Sequence, residues 1–367
     1  YTINADVTDI NGETHSNSHY VMVGYNAMNL SIAISDQFDR KSRNKFKVNT
    51  TNLNGEKIKA KGKIIVHKLE EPSKIFRTSL WNRPDNQEFT KKEYYKLFPN
   101  DLYEKENDVT TFKKGKEVLN ISFNTETSDS AEFNEMKSWT SGRYVLEASS
   151  IDAFGEEVKD IRYFTLFDNN HDKNPTNEIW WFAAVKNDVE PGENAEFLIA
   201  TGDENLKVLY EIEHKGKIVQ KEWFNLSQEQ KKITIPVREK HRGNFTIHFS
   251  LVKHGRVFTS SETITVPYSN KALDIEFETF RNKLLPGQKE EWKLKIKGPK
   301  GEKVAAEMLA TMYDASLDAF ASNGFYMNIY NSYYSNKHWT NNSFSAKNSQ
   351  LWNHHWNEYS QIYFRNY

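Results

Sequence analysis

Paired carboxylates, clustered histidines and side-chain nucleophiles are the residue types through which a protein does chemistry, and each occurs here in a telling way. Glu156–Glu157 and Glu290–Glu291 are adjacent pairs. Neighbouring residues on a strand point to opposite faces, so neither pair can close on one substrate atom, and both read as solvated turn or edge charges. His338, His354 and His355 gather beside Trp339, Trp352 and Trp356. A metal needs ligands on one face, whereas His354 and His355 diverge on a strand, and within this set neither H-x-H nor H-x-x-x-H occurs. The sequence holds no cysteine, which removes disulfides, thiolate metal sites and cysteine nucleophiles. A G-x-S-x-G elbow, a phosphate-cradling glycine loop and a dinucleotide fingerprint are also missing. The expectation is a protein without catalytic, cofactor-binding or metal-binding residues, and so not an enzyme.

Composition narrows the partners. Across 367 residues, 49 Lys and Arg balance 50 Asp and Glu. A nucleic-acid binder would carry a basic excess, and no apolar run approaches the roughly 18 residues of a membrane helix. One segment stands apart: residues 321–367 hold 13 aromatic residues and 10 Asn but only four charged residues, against 14% aromatic overall. Disordered tracts are poor in aromatics, so this density favours an interface over a loose loop, although a flexible loop offered to a protease also fits.

The elements that must carry these residues are strands. "NAEFLIATG", "LKVLYEIE", "KKITIPV" and "NFTIHFSLV" are short runs rich in Ile, Val, Phe and Tyr, as half-buried strands of a two-sheet sandwich require. "EHKGKI" and "VKHGRV" place glycine in tight connections and read as hairpins. In "TKKEYYKLFPNDLYE", Thr90 and Glu93 have capping-box spacing and Pro99 follows, which predicts a short helix over 91–98.

Internal echoes set the domain division. "YTINADVTDINGE" recurs as "YVLEASSIDAFGE" 143 residues on, with Tyr1, Ala5, Asp9, Gly12 and Glu13 matching Tyr144, Ala148, Asp152, Gly155 and Glu156. "VEPGENAEFLI" at Val189 aligns with "LLPGQKEEWKL" at Leu284, and Pro-Gly suits the centre of a type II turn. "FKVNTTNLNGEKIKA" at Phe46 aligns with "WKLKIKGPKGEKVAA" at Trp292. Four pieces follow: a terminal strand pair at 1–25, a domain over 26–170 with an insertion at about 73–117, a domain over 175–270, and the start of another over 271–367.

Together with "ATMYDASLDAF" at Ala310 to Phe320, these phrases resemble the bacterial branch of the α2-macroglobulin family. The resemblance implies an all-β chain of tandem seven-stranded antiparallel sandwiches of immunoglobulin or fibronectin type, with the short helical insertion. The four pieces would then be the end of the third macroglobulin-like domain, the fourth, the fifth, and the start of the sixth adjoining the bait region, which falls within 321–367 or beyond it. It further implies an exported protein, in the periplasm or anchored at the outer membrane or cell surface, that inhibits endopeptidases by trapping them after bait cleavage. The partners would be target proteases and other domains of the same full-length chain, with no nucleic acid and no membrane insertion. The family's thioester needs a cysteine, so it lies outside these residues or is lacking. The rival expectation is a surface adhesin or scaffold binding protein or glycan through an aromatic patch. A carbohydrate hydrolase would need a pocket with two convergent carboxylates.

Overall fold

The computed structural model describes residues 1–41, 45–80, 85–279, 281, 285, 287–299, 301, 307–308, 318, 324, 329–335 and 337. The chain divides into two units, Tyr1–Ser335 and Asn336–Tyr367, and all the elements named below belong to the first.

Strands β1 (Thr2–Thr8) and β2 (Thr14–Tyr20) form an antiparallel hairpin exposed on both faces. The first sandwich follows with β3 (Asn29–Ala33), β4 (Gln37–Asp39), β5 (Lys45–Thr51), β6 (Lys61–Glu70), helix α1 (Lys91–Leu97), β7 (Lys113–Asn124), β8 (Ser130–Glu132), β9 (Gly142–Ile151) and β10 (Glu157–Phe167). A sheet of order β3-β5-β8 faces one of order β4-β10-β9-β6-β7. The period of two fills the space between them: Phe46 and Val48 from β5, Ile64 and Val66 from β6, and Tyr144 and Leu146 from β9 are all buried. Tyr144 is fully enclosed, and its hydroxyl donates to the Thr140 carbonyl at 2.5 Å, which satisfies the one polar atom that core position brings inside.

The eight strands of this sandwich include one that the seven-stranded expectation lacks. β4 pairs parallel with the end of β10, Gln37 to Thr165 and Asp39 to Phe167. The Arg40 guanidinium bound to Asp168 and the Arg40 N–H bound to the Phe167 carbonyl hold it there.

The second sandwich consists of β11 (Trp181–Lys186), β12 (Asn194–Ala200), β13 (Leu206–His214), β14 (Lys217–Leu226), β15 (Gln230–Pro236), β16 (Phe245–Lys253) and β17 (Arg256–Ile264). Its sheets run β11-β12-β15 and β14-β13-β16-β17, seven strands paired antiparallel. Phe197, Val208, Ile247 and Phe249 are at the centre of its core. Both expected hairpins form. Lys215-Gly216 and His254-Gly255 have positive φ at both positions, the type I′ geometry that matches strand twist. Beyond it, β18 (Asp274–Thr279) and β19 (Lys293–Lys297) make a last hairpin.

The repeated phrases recur as repeated hydrogen bonds. In each of three turns an Asx carboxyl or amide oxygen accepts two backbone N–H groups, at Asn11 and Glu13 for Asp9, Asn54 and Glu56 for Asn52, and Phe154 and Glu156 for Asp152. Gly12, Gly55 and Gly155 each donate back to the Asx carbonyl at 3.1 Å, with φ of 85°, 87° and 86°. Gly301 repeats the backbone bond to Gly298, where no Asx side chain is available. The Pro-Gly turns match as closely. Glu193 and Gln288 donate to the carbonyls of Glu190 and Leu285 at 3.0 Å, and each returns a side-chain oxygen to that residue's N–H.

Candidate functional site at the joint between the two sandwiches

Buried and half-buried polar groups bring the two sandwiches together. Three layers build this joint. The first is apolar. Phe167, at the end of β10, packs edge-on against Trp181 of β11 with ring centroids 5.4 Å apart, and Leu198 and Ala200 close the cluster at 0% exposure. These strands are hydrophobic on both faces where they meet the joint, which explains why "FLIA" lacks the alternation of a half-solvated strand.

The second layer grips the linker. The Gln230 side-chain amide donates to the carbonyls of Asp168 and His171 at 2.9 and 2.6 Å. Asn177 donates its N–H to the Glu71 carboxylate at 2.9 Å and its side-chain amide to the Pro72 carbonyl at 2.7 Å. Burial raises the Glu71 pKa against that bond and the nearby Arg143 guanidinium.

The third layer is the insertion. The predicted helix forms as α1 with its capping box complete: Thr90 accepts from the Glu93 N–H, and the Glu93 carboxylate takes the Thr90 N–H. Tyr94 meets Tyr103 edge-on, and Tyr95 lies tilted against the same ring. Tyr95 donates to Glu106 at 2.7 Å and Lys91 lies 2.9 Å from the same carboxylate. Burial pushes the Glu106 carboxyl up, but these bonds outweigh it and hold its pKa at about 2. Arg77 then makes the crossing. It forms a two-point pair with Asp101, the second bond at 2.9 Å, and donates to the His254 carbonyl in the β16–β17 turn at 2.7 Å. The Arg77 bond holds the Asp101 carboxyl below the usual carboxylate range. Arg256 donates back to the Thr78 carbonyl at 2.7 Å. The His254 ring is bound on both sides, by Asn100 at 3.0 Å and Asp203 at 2.6 Å.

A cavity of about 250 Å³ remains between the layers, bordered by Glu71, Phe76, Phe112, Arg143, Trp180 and Phe258. Arg143 pairs with Glu178 and lies 4.0 Å from Glu71. The guanidinium opposes the burial that raises the Glu71 pKa, but burial is the larger effect. The chemistry of the joint is that of fixation.

A second polar chain crosses the outer face of the second sandwich. Ser261 lies 2.7 Å from His248 Nδ1, and His248 Nε2 is 2.9 Å from Glu213. The residue types are those of a hydrolytic triad, with His248 1% and Glu213 5% exposed. Glu156 closes the Asp152 turn and Glu157 opens β10, while Glu290 pairs with Arg281 at 3.6 Å. His338, His354, His355, Trp339, Trp352 and Trp356 lie outside the described residues, as does most of 321–367 and nearly all of "ATMYDASLDAF".

Sequence reasoning missed Arg77, Asp101, His254 and Arg256. Arg77 and His254 are 177 residues apart, and no spacing signals such a pair.

No protein-family model matches this sequence, and no curated protein matches it. Among solved structures, a trypsin-activated alpha-2-macroglobulin from Escherichia coli aligns at 13% identity over 82% of this chain and 21% of that one, with a TM-score of 0.22. A methylamine-reacted Salmonella alpha-2-macroglobulin aligns at 14% identity over 81% and 20%, with a TM-score of 0.21. A tetra-tandem repeat from the extending region of a large adhesion protein aligns at 14% identity over 76% and 59%, also with a TM-score of 0.21. The chain thus spans about a fifth of the length of each macroglobulin and 59% of the adhesin repeat.

Proposed function

We propose that this chain is a scaffold portion of an exported bacterial protease trap of the α2-macroglobulin type, without catalytic activity of its own. In this reading a target endopeptidase cuts a bait segment within or beyond 321–367, and the sandwiches then move and enclose it. The observation that carries the proposal is the three-layer joint. A trap that rearranges after one cut needs domains that move as bodies, and the apolar cluster, linker grips and Arg77 crossing make the two sandwiches one body. The phrases that resemble the family supply the substrate class, endopeptidases, and the envelope location.

Limited digestion of the full-length protein with proteases of unrelated specificity tests this. Cuts that converge on one segment, whichever protease is used, are the expected result. Cuts scattered over the loops of both sandwiches would sink the trap. A surface adhesin or scaffold would use the same joint as a spacer, and there the exposed Trp223, Ile218 and Val219 on edge strand β14 offer a contact surface. That reading predicts resistance to digestion and saturable ligand binding.

A further inference from the structure

At one end of the outer face of the four-stranded sheet in the second sandwich, polar groups are withdrawn from solvent. Along β13 and β16 the core side takes Ile212, Phe245, Ile247 and Phe249, so alternation sends Glu213, Thr246 and His248 outward. These three are only 5%, 3% and 1% exposed. Charged groups stay buried on a sheet surface only where something covers and pairs them.

Part of the cover is the segment 329–335, which meets the sandwich at successive points. Tyr330 stacks on Tyr268 with ring centroids 4.9 Å apart and planes at 24°. The Tyr268 hydroxyl donates to the Asn331 carbonyl at 3.2 Å. The Tyr333 N–H donates to the Gly243 carbonyl at 2.6 Å, and its ring stands edge-on to His214 with Lys215 5.4 Å from its centroid. The Ser335 hydroxyl donates to Glu213 at 2.6 Å and lies 3.4 Å from His248 Nε2. The sandwich is shaped for this. Gly243 and Asn244 both hold positive φ, 86° and 79°, and a Cβ on Gly243 would fall 2.4 Å from the Asn331 carbonyl oxygen.

We infer that the second sandwich carries a docking site for a tyrosine-bearing peptide segment, and that residues 329–335 occupy it in cis as a clasp. The clasp fixes this part of the chain to a rigid sheet. A protease must draw several residues of extended backbone into its cleft, and a segment held through its backbone at residues 331 and 333 and its side chains at 330 and 335 is withheld from it. This consequence for cleavage rests on the proposed trap, whereas the docking does not. Within the trap, the clasp bounds the bait: target proteases spare 329–335 and cut elsewhere.

The test is hydrogen–deuterium exchange on the intact chain, comparing wild type with Tyr330→Ala/Ser335→Ala, which alters only the clasp. Tyr268→Ala serves as a second variant acting from the sandwich side. The Tyr333 amide is expected to exchange at least tenfold faster in the double variant while the β16 amides keep their protection. Exchange at Tyr333 in wild type as fast as in a free peptide, or a rate that neither variant changes, would overturn the clasp. Chymotrypsin supplies a second reading, since slow cutting after Tyr333 and Tyr334 in wild type should become fast in the Tyr268→Ala chain. A clasp that passes both while the full-length protein keeps its radius after cutting would leave the docking site standing and remove the trap.

Discussion

Arg77 neutralises buried Asp101 and at the same time binds the far sandwich. Arg77→Ala would strand a carboxylate that is 4% exposed and break the crossing to His254. The expected loss is about 2–4 kcal/mol, by analogy with other half-broken buried pairs. Urea unfolding should show it as one transition separating into two. His241 gives a second prediction at this scale. Burial, then the charges of Lys240, His214 and Arg238, lower its pKa to about 4, and its Nδ1 accepts the Arg238 N–H at 3.1 Å, a bond only the unprotonated nitrogen can make. His214, 5.7 Å away between ring centroids, is lowered too, by burial first and then by Lys215 and Lys240. Glu239, of opposite sign, is turned to Arg242. Between the ordinary histidine value near 6.5 and about 4, the unfolded chain binds a proton that the folded chain refuses. Stability therefore falls as pH drops through that window, by at most about 1.4 kcal/mol per pH unit for His241. Urea midpoints measured from pH 7 to pH 4 should decline, and less so in His241→Gln. None of these roles was legible in the sequence. Arginine, aspartate and histidine are common surface residues, and it is the tertiary approach of distant loops that buries these.

The turns are the opposite case, since their chemistry is local. An Asx oxygen that gathers two N–H groups and a glycine that takes positive φ are demanded within five residues, so everything these turns need is contained in the repeated D-x-x-G-E and N-x-x-G-E strings. The capping box of α1 was legible for the same reason. What each turn is worth depends on what surrounds it. Asp152 also accepts the Ala27 N–H at 2.7 Å and so fixes the entry of the chain into the first sandwich, whereas Asp9 closes only its own exposed hairpin. Asp152→Ala should lower the melting temperature clearly more than Asp9→Ala does, although the two turns have the same internal bonds. Equal effects would mean that the turn, and not its grip on the linker, carries the stabilisation. The eighth strand escaped the sequence reading because three residues paired parallel at a sheet edge have no periodicity to detect. The docking of the insertion escaped it because α1 buries none of its residues fully and so lacks an apolar stripe.

At the scale of the whole molecule, a clamped joint unites the two sandwiches and residues 329–335 are tied to the second of them. The all-β tandem architecture was readable from strand runs and turn spacing, because both reflect the burial of one sheet face against another. The functional reading depends instead on what happens when one segment is cut, and composition alone left 321–367 open between an aromatic interface and a protease target. The most direct measurement is the hydrodynamic radius of the full-length protein before and after one cut by a single protease, with the cut position mapped on the same sample. A smaller radius after a cut outside 329–335, with the joint still protected from exchange, is the predicted result. An unchanged radius after complete cleavage would contradict the trap and leave these sandwiches as a fixed spacer.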